Sequence, residues 1–405
     1  MSGKTMLKGK SLAWLLSAAY FTSYITRVNF AAIIQEVVTD TGHAKTALSI
    51  ILVCLSISYG IGQIVNGRLG DIIKSQKLIL CGLVIATSVN LIFPLFSSSV
   101  PMMTVLWTIN GFAQAMMWPP MVKILVANCD DAMYGYSVLR ISWASSGATI
   151  LIYLIAPFII KIFTWRGVFI FSALMGFLTI ILWCALQSRI EVSEVLDAEA
   201  VKVEKKAKLN MPKLAIFPLI FIALGIILQG MLRDGISSWM PTVLAEELGL
   251  GNSKSIFITV LVAIFSIVSL GISKWIYEKF FTNEVFCAVY IFGLAAIMSV
   301  LMFVFYEGYS IVILMPLITS CMHGINLMLI SYVPKRFKKY GNISTISGVV
   351  NACTYIGAAI STYGIAWLSE IIGWRNTYGV WFIVAIFGTL VCLVATRPWK
   401  RFFEK

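Results

Sequence analysis

The sequence predicts an all-α membrane protein, twelve transmembrane helices in two pseudo-symmetric six-helix bundles, and three observations carry that prediction. Hydrophobic residues make up 59% of the 405 and charged residues only 12%, about half the roughly 25% of a water-soluble domain. Apolar runs near the ~20 residues that a bilayer crossing needs recur twelve times. One long polar stretch, Arg189 to Lys213, parts them six and six. The net charge of +13 does not indicate a nucleic-acid binder, because apolar runs separate the Lys and Arg instead of one face gathering them. A soluble enzyme and a disordered scaffold are excluded on the same composition.

Taken in order, breaks at charges, Pro and Gly clusters place the first six spans near 12–35, 46–66, 77–96, 101–127, 134–160 and 165–187. The second six lie near 214–240, 255–276, 284–305, 309–333, 342–368 and 375–396. This gives an N-terminal bundle over 1–188, a linker over 189–213 with Glu191, Glu194, Lys202, Glu204, Lys205, Lys206 and Lys208, and a C-terminal bundle over 214–405. The first apolar stretch follows Lys4, Lys8 and Lys10 without a cleavage site and reads as a retained span. The eight cysteines fall singly, with no CxxC or Cys/His spacing, so they read as small buried hydrophobes and no metal or cofactor is expected.

The positive-inside rule orients the chain. The two ends, the linker, the turn with Arg68, Lys74 and Lys77, and the turns with Lys274, Lys279 and Lys335 to Lys339 carry 22 of the 31 Lys and Arg. The opposite side has Lys45, Lys161, Arg166, Lys254 and Arg375. Both termini are therefore expected in the cytoplasm, with the chain a multi-pass protein of the cytoplasmic (inner) membrane. The halves echo each other. Trp165-Arg166 recurs as Trp374-Arg375 after 209 positions, and Arg27 as Arg233 after 206, the mark of two repeats about a central site.

A charge within a span is costly and usually faces a pathway. Tyr20, Tyr24 and Arg27 are spaced four and three apart, on one face of the first span. Arg233 stands in the seventh, with Gln229 and Ser237 a turn either side. Its neighbour Asp234 points about 100° away on a helix, so the two need not neutralise each other, and Asp234 is expected to pair with another helix. Two arginines converging on one cavity would clamp a dianion with parallel hydrogen bonds. Weaker polar stripes are Asn110, Gln114 and Trp118; Tyr59 and Gln63; His323 and Asn326; and Asn351 and Tyr355. Each is equally a pore lining or helix glue. Arg140 reads as snorkelling outward. In the loop Gly67-Arg68-Leu69-Gly70-Asp71, followed by Lys74, an acid among bases suggests an inter-helix charge lock, with Gly67, Arg68, Asp71 and Lys74 its gating residues. No GxxxxGK[ST] supplies an ATP motor, and no catalytic triad or carboxylate pair suggests an enzyme.

The twelve spans and the Gly67–Lys77 loop resemble the major facilitator superfamily. Four stretches are similar to its organophosphate:phosphate antiporters, the glycerol-3-phosphate and hexose-phosphate transporters. They are Tyr24 to Phe30, Ser58-Tyr59-Gly60, Gly111 to Pro120 and Leu232 to Thr242. The resemblance implies a rocker-switch carrier whose arginines, here Arg27 and Arg233, grip the phosphate of either substrate, with Tyr20, Tyr24, Tyr59 and Tyr355 around them. Three departures stand out: Gln63 replaces a lysine, Ala144 beside Ser145 and Ser146 replaces a histidine, and His323 replaces a tyrosine.

The expectation is a monomeric secondary transporter of a small organic anion, a phosphorylated metabolite exchanged for phosphate, with substrate and bilayer as its partners and Trp118, Gln63 and His323 lining the site. Two alternatives stay open: a membrane sensor for a sugar phosphate, and a proton-coupled carboxylate carrier drawing on Asp234 or His323.

Overall fold

The computed structural model describes residues 6–190, 211–249, 252–306 and 308–404. Lys4 and most of the charged linker, including Glu191, Glu194, Lys202, Glu204, Lys205, Lys206 and Lys208, lie outside these. The described residues are almost wholly helical, their one extended pairing being a single bridge between Leu7 and Ile190. Eleven α-helices occur among them: α1 (Lys10–Thr41), α2 (Lys45–Ile72), α3 (Ser75–Ile92), α4 (Val100–Gln114), α5 (Trp118–Asn128), α6 (Asp131–Leu186), α7 (Lys213–Leu248), α8 (Asn252–Phe280), α9 (Glu284–Val304), α10 (Ser310–Asn326) and α11 (Ile343–Phe403). A π-helical turn, Leu327–Tyr332, and a 3-10 segment, Val333–Tyr340, join α10 to α11.

Two helices are far longer than a bilayer is thick, and each is broken at one residue. In α6 the break is Thr164 (φ 61°, ψ 178°), and in α11 it is Gly373 (φ 74°, ψ 168°). Each therefore holds two of the expected spans, while α4 and α5 share one across a turn at Ala115–Met117. On that reading the described helices supply twelve crossings. The second span runs further than expected: α2 continues to Ile72, so Gly67 to Asp71 are helical and not a loop.

Nine stretches of the described helices are long and apolar enough to cross a membrane, and their outward faces carry half-exposed or more exposed Ile, Leu, Phe and Val. The chain is an integral, multi-pass membrane protein. Outside these nine, α4 and α5 are 15 and 11 residues, each shorter than a crossing, and α1 carries much of a polar network built inside the protein. Ser23 Oγ donates to Gln114 Oε1 at 2.6 Å, Gln114 Nε2 to Thr26 Oγ1 at 2.9 Å, and Asn110 Nδ2 to the Thr26 carbonyl at 3.0 Å. Asn29 Nδ2 donates to Asn90 Oδ1 at 2.7 Å and Ser172 Oγ at 2.9 Å. All of these residues are buried, so Asn110 and Gln114 are helix glue. Each such bond contributes about 0.6 kcal/mol within a bilayer. Together they fix the rotation of α1, because Thr22, Thr26 and Asn29 lie roughly opposite Tyr20, Tyr24 and Arg27 on a 100° wheel.

The chain packs as two units, Met1–Leu209 with Phe337–Val349, and Asn210–Arg336 with Val350–Lys405. The apolar centre of the first is an aromatic cluster of Phe30, Phe93, Trp107 and Phe169, with ring centroids 4.7–6.5 Å apart.

Candidate functional site

In the first unit the face of α1 left by the polar network carries Arg27. Its guanidinium carbon lies 4.1 Å from the Tyr24 ring centroid and 4.9 Å from that of Tyr59 on α2. Such cation–π contacts contribute about 0.5–2 kcal/mol each. Tyr20 extends the wall, 5.1 Å from Tyr24 and 5.5 Å from Trp118. Trp118 opens α5, where Pro119 and Pro120 sit in the first turn and need no backbone donor. A turn beyond Tyr59, Gln63 is fully buried, and neither its amide nitrogen nor its oxygen has a hydrogen-bond partner among the described residues. The Trp118 indole nitrogen is likewise without one. Buried polar atoms are almost always satisfied, so these two mark where water or a polar ligand fits. Five of the expected site residues, Arg27, Tyr20, Tyr24, Tyr59 and Trp118, therefore meet in one aromatic, cationic cluster, with Gln63 a turn beyond Tyr59.

The second unit gathers Arg233, Asp234 and His323. Here the sequence reading is corrected. Arg233 Nε and Nη2 donate to the two Asp234 oxygens, both at 2.8 Å, so Asp234 pairs with its own neighbour and not with another helix. The 100° step between adjacent residues is bridged by the length of the arginine side chain. His323 on α10 stands within electrostatic reach of both charges. Gln229 Nε2 ties α7 to the Met322 carbonyl at 3.0 Å. Tyr355 lies where α11 crosses α7. There a Cβ on Gly230 or Gly357 would collide with the partner backbone at Thr354 or Ile227, so glycine is required at both.

The gating residues separate. Asp71 is buried, and its carboxylate accepts from Ser344 N at 3.0 Å, Thr345 N at 2.8 Å and Thr345 Oγ1 at 2.6 Å. The expected lock against a base is thus a carboxylate on the open N-terminus of α11, where unsatisfied N–H groups and the helix dipole favour an anion. Gly67 lets α2 come this close, since a Cβ there would sit 2.9 Å from the Ser344 oxygen. Lys123 Nζ caps the other side, donating to the carbonyls of Gly70 and Asp71 at 3.1 and 3.4 Å. Lys74 is exposed, and Arg68 keeps a buried Nη1 without a hydrogen-bond partner among the described residues. Arg140 lies over the Trp14 ring, 3.8 Å from its centroid.

Three features escaped the sequence reading. Asp40 accepts from the Trp165 indole at 2.8 Å and from Arg166 at 2.9 Å. The indole hydrogen bond, then the guanidinium, holds its carboxyl below the usual carboxylate range. In the second unit Trp374 donates to Glu246 at 2.7 Å. Asp40 and Glu246 are 206 positions apart, the same offset as the arginines, and that recurrence was the available signal. The third is Glu284, fully buried and held by Arg336 at 2.9 and 3.0 Å and the Trp399 indole at 3.0 Å. Two cysteines, Cys81 and Cys184, are exposed and not buried as expected.

Repeated helical halves with a cation in an aromatic wall define a polytopic membrane protein with a polar site built inside each half. The Major Facilitator Superfamily model matches residues 16–362, and the chain belongs to that superfamily. It is 27% identical over 284 residues to the glycerol-3-phosphate transporter of Bacillus subtilis, covering 65% of this chain and 64% of that one. It is 31% identical over 196 residues to a probable hexose phosphate transport protein of Chlamydia muridarum, covering 48% and 42%. The chain thus spans less than two thirds of these relatives' length. Among solved structures, the Escherichia coli fucose:proton symporter superposes with a TM-score of 0.74 over 95% of this chain and 98% of that one, at 13% identity, a likeness of fold alone.

Proposed function

We propose that this protein is a secondary carrier of a small organic anion, a phosphorylated metabolite exchanged for inorganic phosphate. It would work as a monomer in the cytoplasmic membrane with both termini in the cytoplasm. The observation that carries the reading is Arg27 held over Tyr24 and Tyr59 at a register that Arg233 repeats 206 positions later. Ring faces take the flat side of a guanidinium, while phosphate oxygens bind in its plane, two at a time. The names of the relatives agree in substrate class. Exchange then follows from charge. A cationic site that reorients empty carries its charge through low dielectric, and a bound dianion offsets that cost. The test is counterflow in proteoliposomes preloaded with phosphate, against a panel of phosphorylated and carboxylated metabolites. Phosphate-stimulated uptake of a phosphorylated compound is expected. Uptake of carboxylates alone, indifferent to phosphate, overturns the reading.

One observation favours a second reading, a proton-coupled anion carrier. Arg233 is held bidentate by Asp234 with His323 beside them, so a proton placed on Asp234 would hand the arginine to the substrate. Uptake that an imposed proton gradient neither drives nor slows rejects it.

A further inference from the structure

Within the first unit a cavity of about 720 Å³ opens between the start of α3 and the end of α6. That is within the ~300–1,000 Å³ of small-molecule sites, yet it shares no residue with the aromatic wall around Arg27. Lys74 and Lys77 begin the α3 side with Gln76; Leu80, Cys81, Val84 and Ile85 continue it, and Cys184, Gln187, Ser188 and Ile190 line the other side. Lys74, Lys77, Cys81, Val84 and Cys184 are all exposed, so the apolar wall faces outward, where the neighbouring exposed residues Phe177, Leu178, Ile181 and Leu182 are also apolar. The distance fits as well. From Lys74 to Val84 is ten residues of mostly α-helix, about 15 Å at 1.5 Å each, which is half the ~30 Å hydrocarbon core of a bilayer.

We propose that this cavity binds one anionic phospholipid, its phosphate between Lys74 and Lys77 and an acyl chain along Leu80, Cys81 and Val84. Charge complementarity selects the occupant. Basic pockets between helices on the side rich in Lys and Arg suit anionic headgroups, and each lysine near the surface contributes about fivefold to their binding. A free phosphate would leave the apolar wall empty, and a zwitterionic headgroup would bring a cation up to two lysines. Arg189 stands in sequence between the lining residues Ser188 and Ile190, and its buried Nε has no hydrogen-bond partner among the described residues.

The test uses the full-length protein in vesicles of phosphatidylglycerol and phosphatidylcholine in equal parts, extracted into mild detergent and weighed intact by native mass spectrometry. Wild type should retain one phosphatidylglycerol and little phosphatidylcholine. Removing both charges with Lys74→Gln and Lys77→Gln should cut that preference roughly 30-fold, and Val84→Trp, which fills the wall, should remove retention of either lipid. Equal retention of the two lipids by wild type overturns the proposal without recourse to any variant. So does a preference that survives the double substitution, and so does displacement of the lipid by millimolar inorganic phosphate, which would make this a free-phosphate site.

Discussion

Arg27 and Arg233 occupy matching registers of α1 and α7, and the residues around them could hardly differ more. Arg27 rests on tyrosine rings and shares its wall with Trp118. Arg233 is gripped at both forks by an adjacent carboxylate. Rings orient a guanidinium without cancelling its charge, whereas a carboxylate does both. The first unit therefore sets its arginine against tyrosine rings, and in the second the use of Arg233 competes with Asp234. Two halves can repeat a residue while assigning it different electrostatic work.

The most severe way to break this comparison is to remove the fork while keeping the charge. Arg27→Lys and Arg233→Lys should each lower counterflow roughly 10- to 150-fold, the value of one charged hydrogen bond at about 1.5–3 kcal/mol. Wild-type uptake of every tested anion by either protein would sink the proposed clamp. A smaller effect sharpens the contrast. Asp234→Asn should lower KM about fivefold, because a partly exposed pair holds its arginine by about 1 kcal/mol, and a KM unchanged or raised would show that Arg233 does not meet the substrate. Felt in stability and not in transport is the backbone contrast between the two breaks. Thr164 adopts angles that only glycine takes without strain, at a cost of about 1–3 kcal/mol, and its counterpart is Gly373. Thr164→Gly should melt higher than wild type in detergent and Gly373→Thr lower; the reverse order would refute the strain.

The smallest effect concerns pH at the opposite end of α1. Asp40 is lowered from its ordinary 3.8 by Trp165 and Arg166, so its contribution to stability is present above that value and fades as pH falls through the lowered one. The melting difference between wild type and Asp40→Asn should stay level from neutrality to about pH 4 and shrink below it. A difference that instead grows in acid would contradict the assignment.

Composition and spacing were enough to read the class of the fold, because apolar length is a local property of a sequence. The pairings were not legible. Asp40 meets Trp165 across 125 positions and Asp71 meets Thr345 across 274, distances over which periodicity says nothing. Nor does a stripe of amides reveal what it faces: Gln114 turned out to hold α1, while Gln63, with a similar signature, is buried and unsatisfied. The break between 160 and 165 was legible, but not its positive φ at Thr164, a conformation that glycine normally announces. Asp234 was misjudged because the wheel describes where side chains leave a helix, and a long arginine can double back.

The bond from Asp71 to the start of α11 also sets an order of events during synthesis. A ribosome adding about 5–20 residues each second reaches Thr345 roughly 15–55 s after Asp71, since 274 positions separate them. Within that interval the third to sixth spans are made as well, and throughout it the acceptor on α2 still awaits its donors. The N-terminal half is thus held open to completion by a segment that belongs, in sequence, to the other half.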